Sequence, residues 1–130
     1  MRVLLDTSAY SAFKRNHPEA INLVRRCQEI EFSVTVAGEL LSGFRYGTRF
    51  MENFEELQGF LRHPRVHLTP ITLSTADRYG RIYAALRRKG RPIPSNDIWV
   101  AAQAMESGAE LATFDHHFEQ VDGLALNLLA

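Results

Sequence analysis

The chain has 130 residues, of which 45% are hydrophobic and 23% charged, and its 15 basic and 15 acidic side chains leave no net charge. This length predicts one domain over residues 1–130, large enough to bury its own core. Cys27 is the only cysteine, which excludes an intrachain disulfide and indicates a reducing, cytoplasmic setting. No apolar run approaches the roughly 18 residues of a membrane span, and the first residues do not resemble a signal peptide.

The charges are distributed unevenly along the chain. Residues 1–91 hold all 15 basic residues and nine of the 15 acids, whereas residues 92–130 hold six acids and neither Lys nor Arg. A chain polarised in this way can bind a polyanion on one surface, although arginines also serve simply to solvate helix faces. Composition alone leaves both interpretations open.

Short apolar or β-branched runs alternate along the chain with segments of helical spacing. The predicted strands are 2–6, 31–34, 65–71, 110–114 and 124–129. The predicted helices are 8–14, 18–29, 36–47, 48–62, 73–90 and 97–108. This alternation predicts a three-layer α/β/α sandwich with a mainly parallel central sheet, in which ligands bind beyond the carboxyl ends of the strands.

Four acids stand at the ends of these predicted elements. Asp6 closes the first strand, and Glu39 lies early in the helix that follows the second strand. Asp97 opens a late helix, and Asp115 follows the strand at 110–114. Because the carboxyl ends of parallel strands and the N-termini of the following helices share one edge of the sheet, we expect these carboxylates to meet there.

Some of these acids also have an ordinary structural explanation. Asp97 could complement the dipole of its helix, and Asp115 could be a turn residue. Glu39 does not fit a capping box, because Thr35 precedes it by four residues instead of three. Asp6 is the hardest to explain structurally, since burying an unpaired charge costs several kcal/mol.

Carboxylates that crowd together repel one another, and a hard divalent cation relieves that repulsion. Ligation by oxygen atoms alone favours Mg²⁺ or Mn²⁺, and either ion can lower the pKa of a water molecule that it retains. The chemistry inferred from the residues is therefore metal-assisted hydrolysis of a phosphoester.

Four sequence motifs together carry a family resemblance. They are "VLLDTSA" near the start, "SVTVAGELLSG" after the second strand, "NDIWVAAQA" on the late helix and "LATFDHHFEQVDGL" near the end. Each motif is short, but in this order and spacing, over essentially the whole chain, they resemble a PIN-domain ribonuclease of the VapC toxin type. The resemblance implies a Mg²⁺- or Mn²⁺-dependent endoribonuclease that leaves a 5′-phosphate and a 3′-hydroxyl.

The resemblance also implies roles for individual residues. The acids that it assigns to metal binding and catalysis are Asp6, Glu39, Asp97 and Asp115. Among them Asp6 and Asp97 would be the principal metal ligands, and Glu39 would bind a metal and help orient the attacking water. Asp115, where many relatives have Asn, would often act through water. The side chains that would support the site by hydrogen bonds are Ser8, Asn96 and Thr113.

The same resemblance implies partners. VapC-type toxins form homodimers and are silenced by a cognate VapB-type antitoxin, whose C-terminal segment enters the groove that holds the acidic sites. The other end of the antitoxin binds the DNA of the operon, so this chain would contact DNA only indirectly. The implied substrate is RNA, and transfer RNA, a ribosomal RNA loop and messenger RNA all stay open as targets.

Basic, histidine and aromatic side chains give less specific expectations. The candidates for RNA contact, each of which could equally be a solvated helix end, are Arg45, Arg49, Arg87, Arg88, Lys89 and Arg91. His116 and His117 lack the further Cys or His that a zinc site needs at ligand spacing, so we interpret them as surface histidines. Trp99 is interpreted as a core or dimer-interface residue in preference to a base-stacking platform.

Other classes of protein fit the sequence less well. A haloacid-dehalogenase-like phosphotransferase needs a second Asp two residues after Asp6, where this chain has Ser8. A receiver domain needs a lysine at the end of a late strand, and the only lysines are Lys14 and Lys89. The remaining alternatives are a non-catalytic PIN-fold module for antitoxin binding and operon autoregulation, and a DNA or RNA-processing nuclease outside toxin–antitoxin systems.

Overall fold

The computed structural model describes residues 1–130, and its centre is a sheet of five parallel strands. The strands are β1 (Arg2–Leu5), β2 (Glu29–Ser33), β3 (Val66–Thr69), β4 (Glu110–Thr113) and β5 (Leu126–Leu128). The helices are α1 (Thr7–Lys14), α2 (Pro18–Arg26), α3 (Val34–Tyr46), α4 (Phe50–Leu61), α5 (Leu73–Arg88) and α6 (Ser95–Ser107). A short 3₁₀ helix, His116–Gln120, follows β4.

Helices cover both faces of this sheet. In β1, at its centre, Val3, Leu4 and Leu5 are at most 2% exposed, as expected for a strand covered on both sides. The connections from β1 to β2 and on to β3 cross the sheet in one direction, and the connection from β3 to β4 crosses it in the other. Because each crossover is right-handed, α1 to α4 cover one face of the sheet and α5 and α6 cover the other. The predicted three-layer α/β/α sandwich is confirmed, and its sheet is parallel throughout.

The strand order places a crevice at the centre of the sheet. The order is β3-β2-β1-β4-β5, so the chain first proceeds from β1 towards β2 and β3 and then returns to β4, on the other side of β1. In sheets of this kind ligands bind beyond the carboxyl ends of the strands where the direction reverses, here between β1 and β4. Asp6 directly follows β1, and Asp115 lies two residues beyond β4.

The second strand and the helix after it differ from the predicted ranges. β2 covers Glu29–Ser33 instead of 31–34, and α3 begins at Val34 instead of 36. The reason is an N-cap, because Ser33 Oγ accepts a hydrogen bond from Thr35 N at 3.0 Å. Glu39 therefore lies in the second turn of α3, close to the carboxyl edge of the sheet.

Other boundaries also need correction. α6 begins at Ser95 instead of 97, which places Asp97 inside its first turn. α2 ends at Arg26 instead of 29, β3 and β5 are shorter than predicted, and the 3₁₀ helix was not predicted. No helix combines the length and the apolar character needed to cross a membrane.

One fully buried polar side chain, Gln103, ties α6 to the sheet. Its Oε1 accepts a hydrogen bond from Ser33 Oγ, and its Nε2 donates one to the carbonyl oxygen of Thr69 at 2.9 Å. Gln103 therefore links the carboxyl ends of β2 and β3 to the middle of α6. These contacts fix the position of the helix that carries Asp97.

Candidate active site

Asp6 is the most deeply buried acidic side chain of the molecule, with 7% of its surface exposed. It is the N-cap of α1, because its Oδ1 accepts hydrogen bonds from Ala9 N at 2.9 Å and Ser8 Oγ at 2.7 Å. Its Oδ2 accepts a hydrogen bond from Thr113 Oγ1 at the end of β4. Burial raises the pKa of Asp6 in spite of these hydrogen bonds, and the charge of Asp115 adds to the rise.

Ser8 and Thr113 connect the ends of β1 and β4, where the family motifs lead us to expect them. Ser8 Oγ accepts a hydrogen bond from Phe114 N at 3.1 Å, and Thr113 Oγ1 accepts one from Asp115 N at 2.9 Å. Each hydroxyl group thus donates to the Asp6 carboxylate and accepts from the backbone beyond β4. The orientation of the carboxylate is fixed by both strands.

Glu39 is half-buried on α3 and connects helices from the two faces of the sheet. Its Oε1 accepts a hydrogen bond from Thr7 Oγ1 on α1 at 2.6 Å. Its Oε2 accepts only a long hydrogen bond, 3.4 Å, from Asn96 Nδ2 on α6. Oε2 therefore retains the capacity to accept a further hydrogen bond or a proton.

Asp97 and Asp115 share a histidine partner. His117 Nδ1 lies 3.4 Å from Asp97 Oδ2 and 3.2 Å from Asp115 Oδ2. Asp115 Oδ1 also caps the 3₁₀ helix by accepting a hydrogen bond from His117 N at 2.9 Å. One potential ligand atom from each of the three residues lies within 4.8 Å of the others, close enough for a single metal ion. The interpretation of His117 as no more than a surface histidine is therefore incomplete.

All four predicted acids line one cleft of about 280 Å³ at the carboxyl edge of the sheet, and no Lys or Arg lines it. The pKa of Asp97 is raised to about 6, mainly by burial. A hydrogen bond with His117 opposes this rise, and the charges of Asp115 and Glu39 add to it. The cleft therefore concentrates negative charge that no basic side chain of its lining compensates.

The donor atoms of the cleft fit a hard divalent cation. Carboxylate oxygens are the preferred ligands of Mg²⁺ and Mn²⁺, and a cation would relieve the repulsion from Asp115 and Glu39 that adds to the burial-driven rise in the pKa of Asp97. The imidazole of His117 adds a nitrogen donor that Mn²⁺ accepts more readily than Mg²⁺ does. The arrangement can thus hold a metal and place it against a negatively charged substrate.

The predicted RNA-contacting side chains lie outside this cleft. Arg45, near the end of α3, places its guanidinium 3.7 Å from the centre of the Phe50 ring. Arg49 forms an ion pair with Glu52 on the exposed surface of α4. Both of these arginines therefore already have partners within the chain.

The other basic candidates lie at the end of α5 and in the loop after it. Lys89 donates hydrogen bonds to Asp122 Oδ1 at 2.9 Å and to the Gln120 carbonyl oxygen at 2.6 Å. The other three basic candidates, Arg87, Arg88 and Arg91, are exposed and form no ion pair. This end of α5 therefore keeps free positive charge.

Two further residues of this region, His117 and Ser11, are not among those predicted from the sequence. His117 follows Asp115 by two residues, and a capping aspartate contacts the backbone amide two residues later, which is the signal that would have placed it there. Ser11 lies one helical turn after Thr7 and Ser8 on α1 and lines the same cleft.

Comparison with known proteins agrees with this arrangement. The sequence matches the PIN domain family over residues 3–124, a span that contains all four acids of the cleft. The chain belongs to the PIN domain family. Its fold is therefore a PIN fold, and its acidic cleft occupies the carboxyl edge of the PIN sheet.

Relatives of this PIN domain include a ribonuclease and VapBC structures. Ribonuclease VapC1 of Haemophilus influenzae (strain R2866) is 24% identical over 129 residues, which cover 95% of each chain. The VapBC2 structure from Rickettsia felis, bound to a promoter DNA fragment, superimposes with a TM-score of 0.89 at 24% identity over 100% of both chains. VapBC-1 from nontypeable Haemophilus influenzae gives 0.84 at 22% identity over 98% of both chains. The resemblance to VapC-type PIN domains inferred from the motifs is confirmed.

Proposed function

We propose that residues 1–130 form a single PIN domain that acts as a Mg²⁺- or Mn²⁺-dependent endoribonuclease, the toxin of a VapBC-type toxin–antitoxin pair. The observation that carries this proposal is the cleft that four carboxylates line without a Lys or Arg. The similarity to Ribonuclease VapC1 supports RNA as the substrate. Metal-assisted hydrolysis of a phosphodiester is the reaction that such a cleft suits best.

The metal would be held mainly by Asp6 and Asp97, with Glu39 and Asp115 as further ligands or as partners of its water molecules. When bound, Mg²⁺ or Mn²⁺ supplies charge neutralisation at the phosphoryl oxygen and lowers the pKa of water. His117 would steady Asp97 and Asp115 or join them as a ligand.

The chain's own side chains would position the reaction. Asp6 is held by three hydrogen bonds, so that its carboxylate needs no reorganisation when a cation or substrate arrives. Glu39 Oε1 is engaged by Thr7, whereas Oε2, which accepts only the long hydrogen bond from Asn96, would accept a proton from the attacking water.

A VapB-type antitoxin would be the cognate partner. The Rickettsia felis and Haemophilus influenzae neighbours are VapBC complexes, which supports a partner of this kind. A basic side chain of the antitoxin would be attracted into the acidic cleft and compete there with the metal. The toxin would act as a homodimer in the cytoplasm and would meet operator DNA only through the antitoxin.

Cleavage of total RNA by the wild type and Asp6→Asn tests this proposal. The wild type should cut RNA with added Mg²⁺ or Mn²⁺ and not with EDTA, and mapped products should carry a 5′-phosphate. Asp6→Asn should give no detectable cleavage, because the substitution removes the most rigidly held ligand while retaining a side chain that can cap α1. Asp77→Asn, which changes an exposed acid on α5, is the matched control and should cleave like the wild type.

Other outcomes of this assay, repeated with DNA as the substrate and accompanied by a test of antitoxin binding, would refute the proposal or part of it. Equal cleavage by the wild type and Asp6→Asn would show that the site is assigned wrongly. Cleavage of DNA but not of RNA would make the protein a DNA nuclease. Absence of cleavage by every variant, with antitoxin binding intact, would favour a non-catalytic PIN module.

A further inference from the structure

Three stacked aromatic rings, which we call the aromatic ladder, lie on α5 and α6 outside the acidic cleft. Tyr79 stacks on Trp99 with 4.1 Å between ring centroids and on Tyr83 with 6.0 Å, in both cases at an interplanar angle of 25°. A hydrogen bond of 2.9 Å between Tyr79 Oη and Ser95 Oγ joins the ladder to the first turn of α6. The ladder ends at Tyr83, which is 45% exposed.

A cavity of about 300 Å³ opens beside Tyr83, between the end of α5 and the loop before α6. Its lining residues are Tyr83, Leu86, Arg87, Pro92, Ile93 and Ile98. The lining combines an aromatic ring, an apolar floor and one guanidinium group, and it contains no acid. This composition suits a planar, apolar-faced group attached to an anion, which is the chemistry of a nucleotide.

Free positive charge surrounds the cavity. Arg87 lines it, and neither Arg87 nor its neighbours Arg88 and Arg91 forms an ion pair. Lys89, between them in sequence, differs because Asp122 neutralises it at 2.9 Å. Unpaired arginines beside an exposed aromatic ring attract a polyanion that carries bases more strongly than they attract an apolar protein surface.

The cavity adjoins the acidic cleft through the start of α6. Ile98 lines the cavity, and Asp97, immediately before it, lines the cleft. A helix with its side chains is about 10–12 Å across, so a nucleic-acid strand that crosses the N-terminus of α6 can reach both the cavity and the cleft. Such a strand would present one phosphodiester to Asp97 and a neighbouring base to Tyr83.

From these contacts, and resting on the proposed ribonuclease function, we infer that the aromatic ladder and its cavity form a subsite for an unpaired base of single-stranded RNA next to the cleaved bond. The base stacks on Tyr83, and Arg87 binds the adjoining phosphate. A paired base has no free face for this contact, so the subsite selects loops and single strands over duplex RNA. Trp99, which stacks on Tyr79, then supports the platform from below.

Binding of fluorescein-labelled single-stranded RNA, measured by anisotropy with the wild-type protein in EDTA, tests the subsite apart from cleavage. Tyr83→Ala should weaken binding about tenfold, the usual contribution of one stacked base, and Tyr83→Phe should restore it. Arg87→Ala should weaken binding and reduce the slope of log affinity against log salt by about one. Tyr46→Ala, which changes another exposed tyrosine at the end of α3, is the control and should bind like the wild type.

Three results would overturn the subsite. They are unchanged affinity in Tyr83→Ala, equal affinity of the wild type for the annealed duplex, and failure of the wild type to bind single-stranded RNA. Conversion of a dimer to a monomer by Tyr83→Ala in sedimentation would also overturn it, because a second copy would then cover the ladder. If the wild type binds but does not cleave RNA with metal, the stacking of an unpaired base on Tyr83 stands, whereas the proposed nuclease function fails, and with it the placement of that base next to a cleaved bond.

Discussion

The carboxylates of the cleft oppose the stability of the metal-free protein. Burial raises the pKa of both Asp6 and Asp97, so the ionised form of each side chain is less favourable in the folded state than in the unfolded chain. Ordinary sequence rules would not place such charges at the edge of an apolar sheet. Proteins tolerate such unfavourable charges mainly at functional sites, where the stability of the rest of the fold offsets their cost.

Replacing Asp97 by Asn should stabilise the metal-free protein. The pKa of Asp97 is about 6 in the folded state and 3.8 ordinarily, so the folded protein binds the proton of this carboxyl group more tightly than the unfolded chain does. The free energy of unfolding therefore falls as the pH rises from about 4 to about 6. At neutral pH the full penalty is present in the wild type and absent from Asp97→Asn. We expect the variant to gain about 1–2 kcal/mol in EDTA, measured by urea unfolding, and the gain to disappear towards about pH 4.

Asp77→Asn is the control for this comparison, because Asp77 is exposed and pairs with Arg81 on the surface of α5. Its unfolding free energy should stay within about 0.5 kcal/mol of the wild type at every pH. A wild type that is more stable than Asp97→Asn at neutral pH would contradict the conclusion that the ionised Asp97 destabilises the metal-free protein.

Individual residues of the site differ in how far the sequence could predict them. The position of Asp6 at the carboxyl edge of the sheet was predictable, because it follows an apolar run that reads as a strand. Its second role as the cap of α1 was not, since capping depends on backbone angles that the pattern does not specify. His117 was missed because only the 3₁₀ helix, which has no periodic signature, brings its ring to Asp97 and Asp115.

At the scale of the elements, α6 determines the geometry of the cleft. It carries Asn96 and Asp97, and the buried side chain of Gln103 connects its middle to β2 and β3. A polar group in the core is favourable only when it is fully paired, so these hydrogen bonds specify one position of the helix against the sheet.

Gln103→Leu should lower the free energy of unfolding by about 1–3 kcal/mol, because it leaves Ser33 Oγ and the Thr69 carbonyl oxygen without this partner. Urea denaturation followed by circular dichroism measures the loss. Gln58→Leu, on the exposed surface of α4, provides the matched control and should change the stability little. Equal stability of Gln103→Leu and the wild type would show that these hydrogen bonds do not stabilise the fold.

The type and order of the elements were predictable, whereas some of their ends were not. Apolar runs and helical spacing identify every strand and α-helix because burial imposes these periods directly. The starts of α3 and α6 depend instead on a serine cap and on a proline-bounded loop. These local features place the starts of both helices two residues earlier than the apolar spacing predicts.

For the whole molecule, the fold brings distant parts of a chain without net charge together at one negatively charged edge of the sheet. Asp97 and Asp115 come from the acid-rich residues 92–130, and Asp6 and Glu39 come from the predominantly basic remainder. The alternation of elements predicted that strand ends share an edge. It did not predict the strand order, which locates the crevice between β1 and β4 and depends on long-range pairing.

Calorimetric titration of Mn²⁺ into the metal-free protein at neutral pH tests most directly whether this edge is a metal site. The wild type and the control Asp77→Asn should bind Mn²⁺ with equal affinity, and Asp97→Asn should bind it at least about tenfold more weakly. No binding by the wild type, or equal binding by Asp97→Asn, would contradict the assignment of the acidic cleft as the metal centre of this PIN domain.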